Sequence, residues 1–271
     1  AFILGSDQVW NPMLLGGDYY TLTWVDSRRP KVTYASSFGV SEIPASQVKK
    51  TKEYLSRFNM ISVREKQGAE IVEKLTGKKA EVCCDPTVLT DRKRWDELSG
   101  DCPFVSEKYI FCYFIGNNLT QREFAKKLAQ KTGCKILAVK HIDEYIKSDD
   151  DFGDIDYLEV GPKEFVNFIR YATYVCTDSF HGTIFSIMYN KNFFTFKRFS
   201  DSQKSSMNSR VKNILSIVGL SKRLFEDSIT PEAALAYQVD WSDVNKRLND
   251  FRKSSREYFE RAIKCLKGAQ E

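Results

Sequence analysis

The stretch Thr173 to Phe185, TYVCTDSFHGTIF, constrains the chain more than any other. A β-branched apolar run, Tyr174-Val175-Cys176, ends in Thr177-Asp178-Ser179 and meets His181-Gly182-Thr183. Ile184, Phe185, Ile187 and Met188 then recur at helical spacing. This pattern predicts a buried strand feeding a helix through a tight turn, which is the repeating unit of a parallel sheet. Such a junction lies at the carboxyl edge of the sheet, where open α/β folds take their ligands. The first N–H groups of the helix point there toward any arriving anion.

The same rhythm runs through the rest of the chain. Ala1 to Leu4, Lys31 to Ala35, Met60 to Val63 and Ala80 to Cys84 read as strands. The segments between them read as amphipathic helices, one carrying Val48, Leu55 and Phe58 and the next Ala69, Val72 and Leu75. The polar run from Leu89 to Glu107 marks a domain boundary. Beyond it Tyr109 to Ile115, Cys134 to Val139, the central strand and Asn192 to Phe196 give a second set, interleaved with helices that carry Phe124 and Leu128, then Phe165 and Phe168. The expectation is an α/β protein of two Rossmann-like domains facing across a cleft, covering residues 1–100 and 101–271. The last helix, with Val244, Leu248, Phe251, Tyr258 and Phe259 on one face, should dock and is free to pack back on the first domain. The acidic stretch Asp143 to Asp156 lacks an EF-hand pattern and reads as a solvated loop, and DSQKSSMNSR as a mobile one.

Composition narrows the function classes. The net charge is only +5, and basic residues alternate with acids along the helices, which argues against a nucleic-acid partner. Seven cysteines without metal-ligand spacing fit reduced thiols in a cytoplasmic protein. No run approaches the ~18 apolar residues of a membrane span. There is no Walker A sequence, no GxGxxG and no histidine pair for a metal, so no metal site is assigned. The chain opens on AFIL, already a strand pattern, so the first domain is expected to lack its N-terminal elements.

His141 and His181 are the two histidines, and both fall where an apolar run ends. His181 is the first candidate for chemistry, as a general acid. Around it, Ser179, Gly182, Thr183, Lys140, His141, Arg198, Arg210 and Asn117 suit an anionic donor bearing phosphate or carboxylate. On the other side Ser6, Asp7, Gln8, Trp10 and Asn11, with Ser36 and Arg64, supply the hydrogen bonds and aromatic surface suited to a hydroxyl-rich acceptor. Arg64, directly after a strand, could instead pair with Glu65 or Asp85.

Five motifs in order, GSDQVWNP at Gly5 to Pro12, YASSFG at Tyr34 to Gly39, ISVREKQG at Ile61 to Gly68, DPTVL at Asp85 to Leu89 and DSFHGTIFSI at Asp178 to Ile187, resemble the polysaccharide pyruvyl transferase family. The resemblance implies a GT-B-like fold and transfer of a pyruvyl group from phosphoenolpyruvate to a sugar of a surface polysaccharide or its lipid-linked precursor. The product is a ketal, phosphate is released, and no cofactor is needed. Family members carry further strands and helices ahead of the GSDQ loop. Some have Arg two residues before the histidine, where this chain has Ser179, so Lys140, Arg198 or Arg210 would grip the donor instead. A lipid-linked acceptor would bring the protein to the inner face of the cell membrane as a peripheral protein. Two other readings stay open on sequence: a GT-B-type glycosyltransferase using a nucleotide sugar, and a non-catalytic carbohydrate-binding relative.

Overall fold

A computed structural model describes residues 1–141, 145–157, 159–199, 208–226 and 228–268. The Ser-rich loop expected to be mobile lies for the most part outside these residues, as does part of the acidic stretch. The chain forms two compact units. The first comprises residues 1–89, 199–217 and 246–271, and the second residues 90–198 and 218–245.

In the first unit four short strands run parallel: Phe2–Leu4 (β1), Lys31–Thr33 (β2), Ser62–Val63 (β3) and Glu81–Val82 (β4). β1 pairs with β2 and β3 with β4. Backbone bonds from Thr33 to Met60, Ser36 to Ser62 and Arg64 to Ser36 join the two pairs, giving the order β1-β2-β3-β4. The helices Val48–Ser56 (α1) and Lys66–Thr76 (α2) cover one face, where Tyr54, Leu55, Ile71 and Val72 enclose Trp10, Phe38, Phe58 and Val63. Pro86–Leu89 (α3) follows β4 directly.

The second unit carries Arg92–Ser99 (α4), Tyr109–Tyr113 (β5), Leu119–Thr132 (α5), Lys135–Val139 (β6), Ile155–Tyr157 (β7), Pro162–Tyr171 (α6), Tyr174–Thr177 (β8), Phe180–Met188 (α7) and Asn192–Phe196 (β9). Ser209–Ile217 (α8) returns to the first unit, while Leu224–Phe225 (β10) and Pro231–Ala236 (α9) complete the second. The last helix, Trp241–Gly268 (α10), contributes to the first unit from Lys246 on. There Tyr258 packs with Val32, Tyr34 and Cys83 on the sheet face opposite α1 and α2, and its hydroxyl donates to the Thr33 carbonyl.

All strands of the second sheet are parallel, in the order β10-β9-β8-β5-β6-β7. β5, β6 and β7 step one way from the middle, and β8, β9 and β10 step the other. The order therefore reverses between β5 and β8, and the crevice at their carboxyl ends is the topological switch point of a Rossmann-type sheet. Alternating side chains bury both faces, as a parallel sheet covered on both sides requires. Ile110 and Cys112 lie with Phe124, Ala125 and Leu128 of α5, whereas Phe111 meets Phe165 and Phe168 of α6.

Candidate functional site

The switch point is built around Asp178, the residue after β8. Its carboxylate accepts from the backbone N–H groups of Ile115 (2.7 Å) and Gly116 (2.9 Å), which leave β5. Arg198, at the end of β9, brings its Nε to 3.8 Å from the same carboxylate and donates to the Asp178 carbonyl at 3.4 Å. One buried carboxylate thus ties the ends of β5, β8 and β9 together. Gly116 is required by closeness: a Cβ there would sit 2.9 Å from Asp178 Oδ2 and 3.1 Å from Arg198 Cγ.

Ser179 caps α7, its Oγ accepting from the Gly182 N–H at 3.3 Å. Thr177 Oγ donates to the Tyr113 carbonyl (2.6 Å) and accepts from the Ser179 N–H (3.0 Å). A Cβ on Gly182 would lie 2.6 Å from that same Oγ, so only glycine lets the first turn of α7 sit this close to β8. Thr183 is buried and bonds the Ser179 carbonyl and Thr195. Ser179, Gly182 and Thr183 therefore build the helix start from within. His181, in the same first turn, is half-buried with its ring edge against Phe180.

The loop after β5 is held from its other side as well. His141, at the end of β6, directs Nδ1 to Asp149 at 2.6 Å and Nε2 to the Ile115 carbonyl at 3.0 Å. Burial opposes its charge. The Asp149 hydrogen bond, the Ile115 carbonyl and the charge of Asp149 outweigh burial, and the imidazole pKa is raised. Arg122 closes the cluster with two bonds to Asp149 and one each to the carbonyls of Gly116 and Asn118. Burial would raise the Asp149 pKa, but His141 and Arg122 together lower it. With both ring nitrogens engaged, His141 holds the loop. Lys140 is half-buried beside it, and Asn117 is exposed at the loop's tip.

The first unit organises its carboxyl edge differently. Arg64 is buried, its Nη1 2.5 Å from Asp85 Oδ2 and its Nη2 3.2 Å from Asp7 Oδ1. Ser6 Oγ donates to Asp85 at 2.9 Å. Glu65, wholly buried, accepts through Oε1 from Ser37 Oγ (2.8 Å), Phe38 N (3.1 Å) and Gly39 N (3.4 Å), while its Oε2 has no hydrogen-bond partner. Burial raises the Glu65 pKa, offset only in part by Arg64, Ser37, Arg210 and Gly39.

The structure places several acceptor-side candidates inside the fold. Trp10 is a core residue, 0% exposed between Phe38, Tyr54 and Phe58, with its indole N–H on the Tyr20 carbonyl. Ser36 is sealed against the Gly5 carbonyl, and Asn11 bonds Gln8 and the Met13 N–H. Arg64 follows the ion-pair alternative, to Asp85. Ser6 and Gln8 remain half-buried and Asp7 exposed. On the donor side, His181, Ser179, Gly182, Thr183, Asn117, Arg198, Lys140 and His141 share one sheet edge. Arg210 belongs to the first unit, where its charge acts on Glu65. The sequence reading left Asp178, Glu65, Asp85, Asp149 and Arg122 out of the sites. Asp178 and Asp85, each directly after a strand run, carried a local signal.

Among the described residues no cluster of three His, Cys, Asp or Glu is placed to hold a metal ion. No helix among them is long and apolar enough to cross a membrane. The seven cysteines are free thiols, five of them buried.

A family model described as polysaccharide pyruvyl transferase matches residues 1–198. No curated protein matches the sequence. Among solved structures, a protein assigned as a UDP-N-acetylglucosamine 2-epimerase from Listeria monocytogenes is similar at a TM-score of 0.54 and 9% identity, over 92% of this chain and 67% of that one. The UDP-GlcNAc 2-epimerase from Neisseria meningitidis, bound to UDP-GlcNAc, is similar at 0.49 and 9% identity, over 94% and 76%. The first likeness shows the fold alone, a Rossmann-like α/β architecture of the GT-B kind.

Proposed function

The chain belongs to the polysaccharide pyruvyl transferase family, and we propose that it moves a pyruvyl group from phosphoenolpyruvate to a saccharide, closing a ketal across two hydroxyls and releasing phosphate. The observation that carries this reading at the site is the start of α7. A helix N-terminus capped by Ser179 opens at the switch point with His181 in its first turn and Arg198 beside it. A helix N-terminus, a cation and a histidine suit a donor with both phosphate and carboxylate.

In the proposed scheme the donor lies at that helix start, supported by Arg198 and Lys140. His181 protonates the methylene carbon, and the carbon that bore the phosphate becomes electron-poor. One acceptor hydroxyl adds there, phosphate leaves, and the second hydroxyl completes the ketal. A saccharide-binding role is proposed for the loop of Ser6, Asp7 and Gln8 at the carboxyl edge of the first unit's sheet. The scheme calls for no resident cofactor. A lipid-linked acceptor would place the protein at the cytoplasmic face of a membrane as a peripheral protein.

His181→Ala should lower turnover ~100 to 10,000-fold, the range for a lost general acid, and leave the unfolding midpoint within a few degrees. Thermal unfolding with phosphoenolpyruvate, inorganic phosphate and UDP-N-acetylglucosamine tests the donor, since a ligand that binds the native state raises the midpoint. The expected result is a rise with phosphoenolpyruvate well above that with phosphate. A rise with the nucleotide sugar alone would transfer the reading to a glycosyltransferase.

A further inference from the structure

We infer that His141 is a positioning residue for the donor site: doubly protonated, it fixes the loop after β5 and, through Asp178, the start of α7. The inference rests on the pyruvyl-transfer reading above and concerns the second unit alone. Geometry selects the protonation state. Nδ1 lies 2.6 Å from Asp149 Oδ2, and Nε2 lies 3.0 Å from the Ile115 carbonyl oxygen. A carboxylate and a carbonyl only accept, so both ring nitrogens must donate, and the imidazolium is the form with two N–H groups. Burial and the like charge of Arg122 oppose that form. The bonds to Asp149 and Ile115 and the charge of Asp149 outweigh them, and the pKa is raised. These charged groups come from separate elements, Arg122 from α5 and Asp149 from the turn Lys147–Asp149, with Lys140 next to the ring in the chain and Asp178 beyond the Ile115 peptide.

The Ile115–Gly116 peptide carries the link. Its oxygen accepts from His141 and its N–H donates to Asp178 Oδ2 at 2.9 Å, so one peptide plane joins the imidazole to the carboxylate. Arg122 takes the carbonyls of Gly116 and Asn118, which anchors the rest of the loop. Asp178, its side chain 0% exposed, directly precedes Ser179, the cap of α7. When the ring becomes neutral, the Nε2 proton is the one given up, because a carboxylate holds an N–H more strongly than a carbonyl does. It passes to solvent, which reaches the 16% of the side chain that is exposed. A nitrogen lone pair then faces the Ile115 oxygen. The peptide turns from it, and the Gly116 N–H loses its alignment on Asp178.

The test is calorimetric titration with phosphoenolpyruvate between pH 6 and pH 9 of native protein, His141→Gln and Asp149→Asn, with NMR of the imidazole nitrogens and backbone amides alongside. The ionisations of the donor and of His181 are common to all three proteins and cancel in the ratios between them. His141→Gln should bind ~3 to 30-fold more weakly than native at pH 6, the range for a residue acting through a network, and equally at pH 9. In Asp149→Asn, without the charge that favours the imidazolium, the affinity should fall at lower pH than in native protein. The chain has two histidines, so loss of one ring spectrum in His141→Gln assigns the other. The His141 ring should carry both protons at pH 6, and its titration should move the Ile115 and Gly116 amide signals. A ratio that stays constant with pH, or a neutral His141 at pH 6, would overturn the inference. So would a pH-dependent ratio with unmoved Ile115 and Gly116 amides, which would make His141 a direct donor contact. If native protein binds no phosphoenolpyruvate at any pH, the pyruvyl-transfer reading itself falls, and this inference with it.

Discussion

At the carboxyl edge of the first unit a buried cation, Arg64, is held by two carboxylates, whereas at that of the second a buried carboxylate, Asp178, is held by two backbone N–H groups and a cation. Both edges end short parallel strands in polar loops, yet they present opposite chemistry. The first turns its negative end outward at Asp7. The second absorbs its acid internally and leaves a helix N-terminus with half-buried His181, Lys140 and Arg198. The two edges therefore differ in charge although both close a parallel sheet. The direction in which each buried ion pair points, rather than the fold, sets that difference.

The comparison is broken most directly at its two buried carboxylates. Asp178→Asn replaces an oxygen that accepts a backbone N–H by an NH2 group facing that donor, and should cost about 2 to 3 kcal/mol. Glu65→Gln keeps Oε1 for its three donors and removes a buried charge whose second oxygen has no hydrogen-bond partner. It should be neutral or stabilise by about 1 kcal/mol. The Glu65 pKa is raised above 4.5, so native stability falls as pH climbs from 4.5 through the folded value, and the glutamine variant should gain on native over that window. Urea unfolding of both variants at pH 5 and pH 8 checks the contrast. Equal losses in the two would mean that the edges are not built differently.

The smallest effect concerns His141. Its pKa is raised, so its contribution is complete below 6.5 and disappears as pH rises through the folded value. That of Asp149 is lowered, so its contribution is present above 3.8 and is lost as pH falls through the folded value. Their contact stabilises most between these limits. His141→Gln should cost about 1 kcal/mol at pH 5.5 and less at pH 9, read from unfolding midpoints. The same cost at both pH values would remove the imidazolium from the account.

How much of this was legible in the sequence follows from which interactions are local. The β8–α7 junction could be read because a β-branched strand, a serine cap and a helical apolar period are consecutive in Tyr174 to Met188. β7 and β10 escaped notice as three- and two-residue edge strands, the first inside an acidic stretch. α4 lies in the polar run read as a boundary, and its Trp95 packs on Phe185, far along the chain. Trp10 sits in a loop pattern with Gln8, Asn11 and Pro12, yet its ring turns inward onto Phe38, Tyr54 and Phe58. The pairs Arg64 with Asp85 and Asp178 with the β5 loop are set by which strands lie side by side. Strand order is a long-range property that local pattern does not encode.

The central claim is tested most directly by proton NMR of phosphoenolpyruvate and a methyl hexopyranoside turned over by the native chain in deuterium oxide. The account predicts a ketal methyl group carrying one deuterium from the enzyme's acid, with one phosphate released per ketal. Free pyruvate and phosphate without a ketal, or unconsumed phosphoenolpyruvate alongside transfer from a nucleotide sugar, would contradict it.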